Sequence, residues 1–371
     1  MTQHGHTNPT PGYAPEFKRN WEPFFKRMKA WWDGTLEGPI IRIPAQRTPW
    51  RPDVPPDDTD WKEYHCNTAA ALTRYETLFR HARYFTDLAP CMDTGVGHGI
   101  ASFLGCPMEF RRETVWTHPC MTAIDDPIDV TSWRGDSRWQ AYREKMIACS
   151  ARAARRYGLV YYLGGVIQAM ALMRGDAAFL MDLLDYPAAV ESLRDRLLPE
   201  WFAMAEEMES MLPQDGGQWT LFWLWAPGRV VFCECDVSCN ISPKLFRRYV
   251  VPEVRAMAQW ADYSLYHLDG PRAVMHLDAL LEIPELDCVQ WIRGDGGGTA
   301  LDWIPLLRRI QAGGKLVYVE CSLKELAALL AALQPRGLLV HLDPCTTPEQ
   351  VQESLRIAAK HGAVEEAYRA S

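Results

Sequence analysis

The chain has 371 residues, 48% apolar and 23% charged, a globular balance that needs no partner to fold. Its formal net charge of -8, without a concentrated basic face, argues against nucleic acid as a partner. No apolar run approaches the roughly 18 residues of a membrane helix, and Met1 to Pro15 is polar, so neither a signal peptide nor a membrane span is expected and a cytoplasmic location is.

The 11 cysteines are odd in number and scattered, which speaks against a disulfide framework. Cys66, Cys91, Cys106, Cys120 and Cys149 show no ligand spacing and are expected to be buried free thiols. Cys233, Cys235 and Cys239 are closer together, but C-x-C-x3-C is not the spacing of a common structural zinc site.

In chain order, short apolar runs alternate with helical segments. Candidate strands are Pro39 to Pro44, a weaker one within Ala82 to Met92, Leu159 to Leu163, Trp219 to Leu224, Tyr263 to His267, Asp287 to Ile292, Lys315 to Val319 and Gly337 to Leu342. Helical periodicity covers Pro243 to Trp260, Trp303 to Ala312, Leu323 to Leu333 and Pro348 to His361. Ser242-Pro243 and Thr347-Pro348 are start signals, and Gly313-Gly314 is a stop. Eight strands separated by helices predict parallel pairing and closure into an α/β barrel. The Pro- and Asp-rich Thr48 to Asp60 and the long Met92 to Asp136, with a short helical stretch at Ile100 to Leu104, read as insertions at the barrel mouth. One decorated domain over 20–363 is expected, with a flexible segment at 1–19 and a tail at 364–371.

The most informative run is Tyr263 to Gly270. Residues two apart on a strand share a face, so His267 and Asp269 point the same way at the strand's C-terminal end, where α/β folds bind ligands. Such a pair can bind a metal, move a proton or hold a polar substrate; it can also be structural, and His-Leu-Asp recurs at His276 to Asp278 and His341 to Asp343. Asp236, just before a helix, is a candidate acid, base or metal ligand, or a turn carboxylate. Gln290, Trp291 and Arg293 end the sixth strand and lead into a glycine-rich loop, Gly294 to Gly298, that lacks the ending of a phosphate loop. Trp219, Phe222, Trp223 and Trp225 suit either stacking on a flat ligand or the core.

The segment Ile241-Ser-Pro-Lys-Leu-Phe-Arg-Arg-Tyr-Val-Val-Pro252 resembles the SPxxFxxxVxP helix start of the uroporphyrinogen decarboxylase superfamily. That superfamily includes corrinoid-dependent methyltransferases and is related to cobalamin-independent methionine synthase. Tyr162-Leu-Gly-Gly-Val-Ile-Gln-Ala-Met-Ala-Leu-Met-Arg-Gly175 and the final helix from Pro348 to Leu355 match in order and spacing. The resemblance spans roughly residues 20 to 363 and implies a (β/α)8 TIM barrel with its site at the C-terminal mouth. The decarboxylase's arginine-rich loop is not reproduced: the region reads Arg42-Ile-Pro-Ala-Gln-Arg47-Thr-Pro-Trp-Arg51, where Arg47 and Arg51 are candidate carboxylate clamps. Against the His-x-Cys pair and later Cys of the methyltransferase branch stand His267, Asp269 and Cys345, with Cys321 ranked below Cys345. The resemblance therefore implies a metal-assisted methyltransferase with a zinc set of His267, Asp269 and Cys345, acting with a small thiol or a corrinoid on a partner protein. A metal-independent decarboxylase or lyase on a small carboxylate, clamped by Arg47 or Arg293, is the alternative enzyme, and a non-catalytic corrinoid- or ligand-binding barrel is the third expectation.

Overall fold

The computed structural model describes residues 12–47, 55–85, 87–95 and 99–362. Eight strands run in parallel ladders: β1 Ile40–Arg42, β2 Cys91–Asp93, β3 Gly158–Val160, β4 Val230–Cys233, β5 Tyr263–Asp269, β6 Cys288–Ile292, β7 Leu316–Cys321 and β8 Leu338–Leu342. Six form one sheet in the order β1-β8-β7-β6-β5-β4, and β2 pairs with β3 separately. Parallel neighbours need long crossovers. Helices Pro243–Trp260, Leu277–Leu281, Ile304–Ala312 and Leu323–Ala332 supply them between successive strands from β4 to β8, and Pro348–Lys360 follows β8. Their starts carry the expected caps: the Ser242 hydroxyl accepts from Leu245 N–H, and Thr347 and Gln350 form a capping box.

The fourth strand differs from the expectation. Trp219 to Leu224 belongs to an antiparallel hairpin, Gln218–Thr220 with Leu224–Ala226, and the parallel strand is Val230–Cys233. At the hairpin tip Phe222 and Trp223 are left-handed, with φ of 58° and 55°, a backbone that bulky residues rarely adopt. The alternation of aromatic residues therefore marks two arms of a hairpin rather than one strand. The hairpin packs against both β3 and β4. Ala82 to Met92 also divides: Ala82–Arg83 pairs antiparallel with Ala45–Gln46, and only its end enters β2. The expected flexible start is packed where it is described, because Phe17 is buried and Lys18 Nζ donates to Phe85 O at 2.6 Å.

Each strand of the large sheet has two different faces. The outer residues, such as Ile41, Val231, Leu268, Val289, Val319 and Val340, join the helices in the main apolar core. The inner residues change character along the strand. At the base, Ile40, Val230, Leu265, Cys288 and Leu339 join a second cluster capped by helix Trp21–Trp32. Further along, the same face carries Arg42, Phe232, His267, Gln290, Glu320 and His341. A buried charge needs hydrogen-bond partners. Arg42, 1% exposed, finds them in Phe222 O at 2.6 Å, Trp223 O at 3.3 Å and Tyr318 Oη at 3.4 Å, so the cation that fills the interior also holds the left-handed hairpin tip. Arg27 and Asp87, paired at 2.6 Å, anchor the start of β1, where Asp87 accepts from Ile41 N–H at 2.9 Å.

Candidate active site

At the C-terminal ends of the strands lies a cavity of 480 Å³ lined by His65, Tyr75, Asp93, Gly95, the hairpin segment 113–115, Tyr142, Tyr162, Leu221, Phe222, Phe232, Glu234, Asp236 and His267. It shares His65, Tyr75, Asp93 and Gly95 with a neighbouring 680 Å³ space bordered by Arg74 and Lys145.

His267 is placed by both its strand and its neighbours. Its register partner on β6 is Gln290, and Nδ1–H donates to Gln290 Oε1 at 2.8 Å. That bond leaves Nε2 as the ring's acceptor. The ring stacks on Phe222 at 5.2 Å and lies 5.5 Å from Phe232, so the strained hairpin tip positions one wall of the imidazole's pocket.

Glu234 lies one step beyond the Cys233–Tyr266 pair of the β4–β5 ladder, level with His267 on the next strand. Burial, reinforced by the negative charge of Asp236, pushes its carboxyl up to about 8, and the Tyr162 hydroxyl donates to Glu234 Oε1. A carboxyl in that state keeps its proton at neutral pH and can give it up. Across the cavity, burial also raises Asp93, against the Gly95 N–H bond at 2.8 Å that favours its charge. Burial pulls Lys145 down, and its ammonium donates to His65 O at 2.9 Å and Gly95 O at 3.1 Å, bracing that wall.

Of the expected site residues, His267 and Asp236 line the cavity, and Gln290 is buried behind His267. Asp269 is exposed at the strand end, and its charge contributes to the rise of Glu234. The others point elsewhere. Trp291 has the opposite parity to Gln290, so it faces the helices and packs on Trp303 at 4.6 Å. Trp225 lies in the basal aromatic cluster, 4.7 Å from Phe25. Arg293 Nη1 donates to Glu320 O at 3.4 Å, and Arg47 is spent on Ala82 O at 2.9 Å and Phe17 O at 3.3 Å. Cys345 is buried with its Sγ 3.9 Å from Ser354 Oγ, and Cys321 faces the outer core. Arg51 lies outside the described residues. His267, Asp269 and Cys345 do not converge, and no group of three His, Cys, Asp or Glu side chains fit to hold a metal occurs among the described residues.

The residues that sequence reasoning passed over are Glu234, Tyr162 and Asp93; Phe222, one of the expected stacking aromatics, lines the cavity. Phe232, Glu234 and Asp236 alternate along one face, which was the available signal for Glu234.

No protein-family model matches the chain, and no curated protein matches it. Its fold is that of a solved methyltransferase from Methanosarcina mazei, at a TM-score of 0.62 and 13% identity over 91% of this chain and 98% of that one.

Proposed function

We infer that this protein is a methyltransferase-like enzyme whose reaction takes place at His267 and Glu234. The observation that carries this is an acceptor imidazole nitrogen and a protonated carboxyl set level on adjacent strands in one cavity. The fold shared with a methyltransferase supports the class of reaction, and in this reading the eight parallel strands form an opened (β/α)8 barrel with its site at the usual mouth.

Methyl transfer needs an acceptor that has lost its proton and a leaving atom that can keep the bonding pair. His267 Nε2 takes the proton of a small thiol acceptor while the Gln290 bond holds the ring in place. The new sulfur–carbon bond forms as the bond between the methyl carbon and the donor atom breaks, with its electron pair remaining on that atom. With a corrinoid as donor that atom is cobalt, which keeps the pair and needs no proton; the neutral Glu234 carboxyl, held by the Tyr162 hydroxyl, hydrogen-bonds and orients the acceptor beside His267. Phe222 and Phe232 exclude water from the methyl carbon. A corrinoid on a partner protein is the methyl donor in this proposal. His267 acts through its ring nitrogen, not within a zinc set, since Asp269 and Cys345 do not join it.

The decarboxylase or lyase alternative fits less well. Its clamps Arg47 and Arg293 are engaged with backbone carbonyls outside the cavity, and the Asp236 charge inside it disfavours an anionic substrate.

The test supplies methylcobalamin and a panel of small thiols, and follows both loss of the methylcobalamin absorbance and formation of methyl thioether. His267→Ala should slow transfer by about 10²- to 10⁴-fold, and Glu234→Ala, which removes the orienting carboxyl, by about 10²-fold. Wild-type protein that transfers no methyl group yet releases carbon dioxide from a small carboxylate would replace this proposal by its alternative. Stoichiometric metal in the wild type that disappears in His267→Ala would restore the zinc role.

A further inference from the structure

Cys106 and Cys120 stand apart from the other thiols. Expected as two buried sulfurs, they differ in exposure: Cys106 is fully buried, while Cys120 is at the surface. Both flank the hairpin Met108–Phe110 with Val115–Thr117. Its Met108–Thr117 register, continued through the His118 N–H bond to Pro107 O at 2.8 Å, sets Cys106 opposite Pro119, with Cys120 the next residue. The two thiols are close enough there for each to shift the other, Cys106 up and Cys120 down. The surroundings keep them together: Cys120 N–H donates to Met173 O at 2.9 Å, and Arg138 Nη1 donates to Cys106 O at 2.8 Å.

We propose that Cys106 and Cys120 are a redox modification site that hydroperoxides convert to a disulfide at the root of this hairpin.

Chemistry assigns the two roles. The neighbouring Cys106 thiol holds the Cys120 thiol below its ordinary value, and the Arg138 cation adds to this. The Cys120 sulfur, together with burial, raises Cys106. The exposed sulfur is thus the one that reaches a peroxide as thiolate, and the buried one is the resolving thiol. The Cys120 thiolate attacks a peroxide oxygen, the O–O bond breaks, and hydroxide leaves with its electron pair. The resulting sulfenic acid is attacked by Cys106 sulfur, the S–O bond breaks, and water leaves. Two thiols give up two electrons and two protons, and one hydrogen peroxide becomes two waters. The other end of the hairpin, Glu113 to Val115, lines the 480 Å³ cavity, so the bond fixes the root of an element that walls the candidate site.

The experiment treats the full chain with hydrogen peroxide under native conditions, then counts free thiols and maps peptides. The expected result is a fall of two free thiols, one cross-linked species joining the Cys106 and Cys120 peptides, and full recovery with dithiothreitol. Cys106→Ser should stop at a sulfenic acid on Cys120 that dimedone traps, and Cys120→Ser should resist the same dose. Consumption of Cys120 in the wild type without the cross-link would overturn the proposal, as would cross-linking of either cysteine to a different partner. These measurements need no substrate, so they stand or fall independently of the methyl-transfer proposal.

Discussion

The two faces of the six-stranded sheet share one backbone and one ladder, yet they have opposite chemistry. On the outer face, Ser264 near the start of β5 apart, the strands present apolar side chains to the helices. On the inner face the environment changes with height, from Ile40, Leu265 and Leu339 at the base to Arg42, His267 and His341 two residues on. Packing alone selects the outer residues. The inner residues carry desolvated polar groups, and Arg42 and His267 are tolerated through particular partners. Arg42 needs the Phe222 and Trp223 carbonyls, and His267 needs Gln290. His341 is kept neutral by burial, reinforced by the nearby Arg42 charge. Stability is therefore expected to reside on one face and chemistry on the other.

The sharpest way to break that comparison is to cut the outer face without touching the inner. Trp291 is 1% exposed and separated from the cavity by its own strand. Trp291→Ala should destabilise the fold by about 3–5 kcal/mol through lost burial and the void left behind. Denaturant unfolding measures the loss, and methyl transfer by the protein that remains folded should be close to wild type. A variant that kept its stability and lost its activity would place Trp291 on the functional side after all.

Next in size is the effect of pH on the inner face. The Glu234 carboxyl, pushed up to about 8 by burial, titrates near 4.3 once unfolded. Between those values the folded state holds a proton that the unfolded state releases. The stabilisation is complete below the unfolded value and is lost as pH rises through the folded one, at up to about 1.4 kcal/mol per pH unit. Glu253, also raised to about 8 by burial, adds a slope of the same sign from outside the cavity, where it accepts Ile167 N–H at 2.8 Å. Glu234→Gln should thus flatten part of the decline in unfolding free energy between pH 4.5 and 8 and leave the part due to Glu253. Identical slopes for wild type and variant would show that Glu234 does not titrate as the site requires.

A smaller effect is expected from Gln290→Leu, which removes the acceptor that fixes the His267 ring. Loss of such an orienting bond typically costs about 10- to 100-fold in activity, here with a stability loss of about 1–3 kcal/mol for the bond taken from the His267 ring. The pH profile of methyl transfer is the check: a positioning role predicts a changed profile, and a lowered rate with an unchanged profile would argue for a merely structural one.

The same two faces explain what could be read from sequence. The regular β5 to β8 portion was legible because a period of two and intervening helical periods coincide there, and His267 stood out as a polar inner residue at a strand end. Period two also held the information that Trp291 and Gln290 part ways, but grouping them as one strand-end cluster obscured it. The hairpin at Trp219 was misread because its tip depends on Arg42, 180 residues away in sequence, which no local pattern reveals. Glu234 was passed over in favour of Asp236 because its raised carboxyl arises from burial and from Asp236 and Asp269, brought together only by the fold. The zinc set came from resemblance, and Cys345 is turned away from His267 by its backbone bond to Pro44 O at 2.8 Å and by helix Pro348–Lys360.

The smallest expected effect tests whether the left-handed tip is strain held for the site. Trp223 has φ of 55° and is 44% exposed, so about half of its side chain is covered, while its backbone sits where an L-residue costs about 1–2 kcal/mol. Glycine adopts that backbone freely but orders at a greater entropic cost of about 0.5–1 kcal/mol. The covered half of the indole is worth about 2–3 kcal/mol of burial, so relief of the backbone offsets only part of its loss and Trp223→Gly should lower stability by about 1–2 kcal/mol, less than Trp291→Ala. Activity should fall modestly, because a looser tip holds Phe222 less firmly against the His267 ring, stacked at 5.2 Å. A loss of stability as large as that of Trp291→Ala would mean that the indole, rather than the Arg42 bonds to the carbonyls, holds the tip in place.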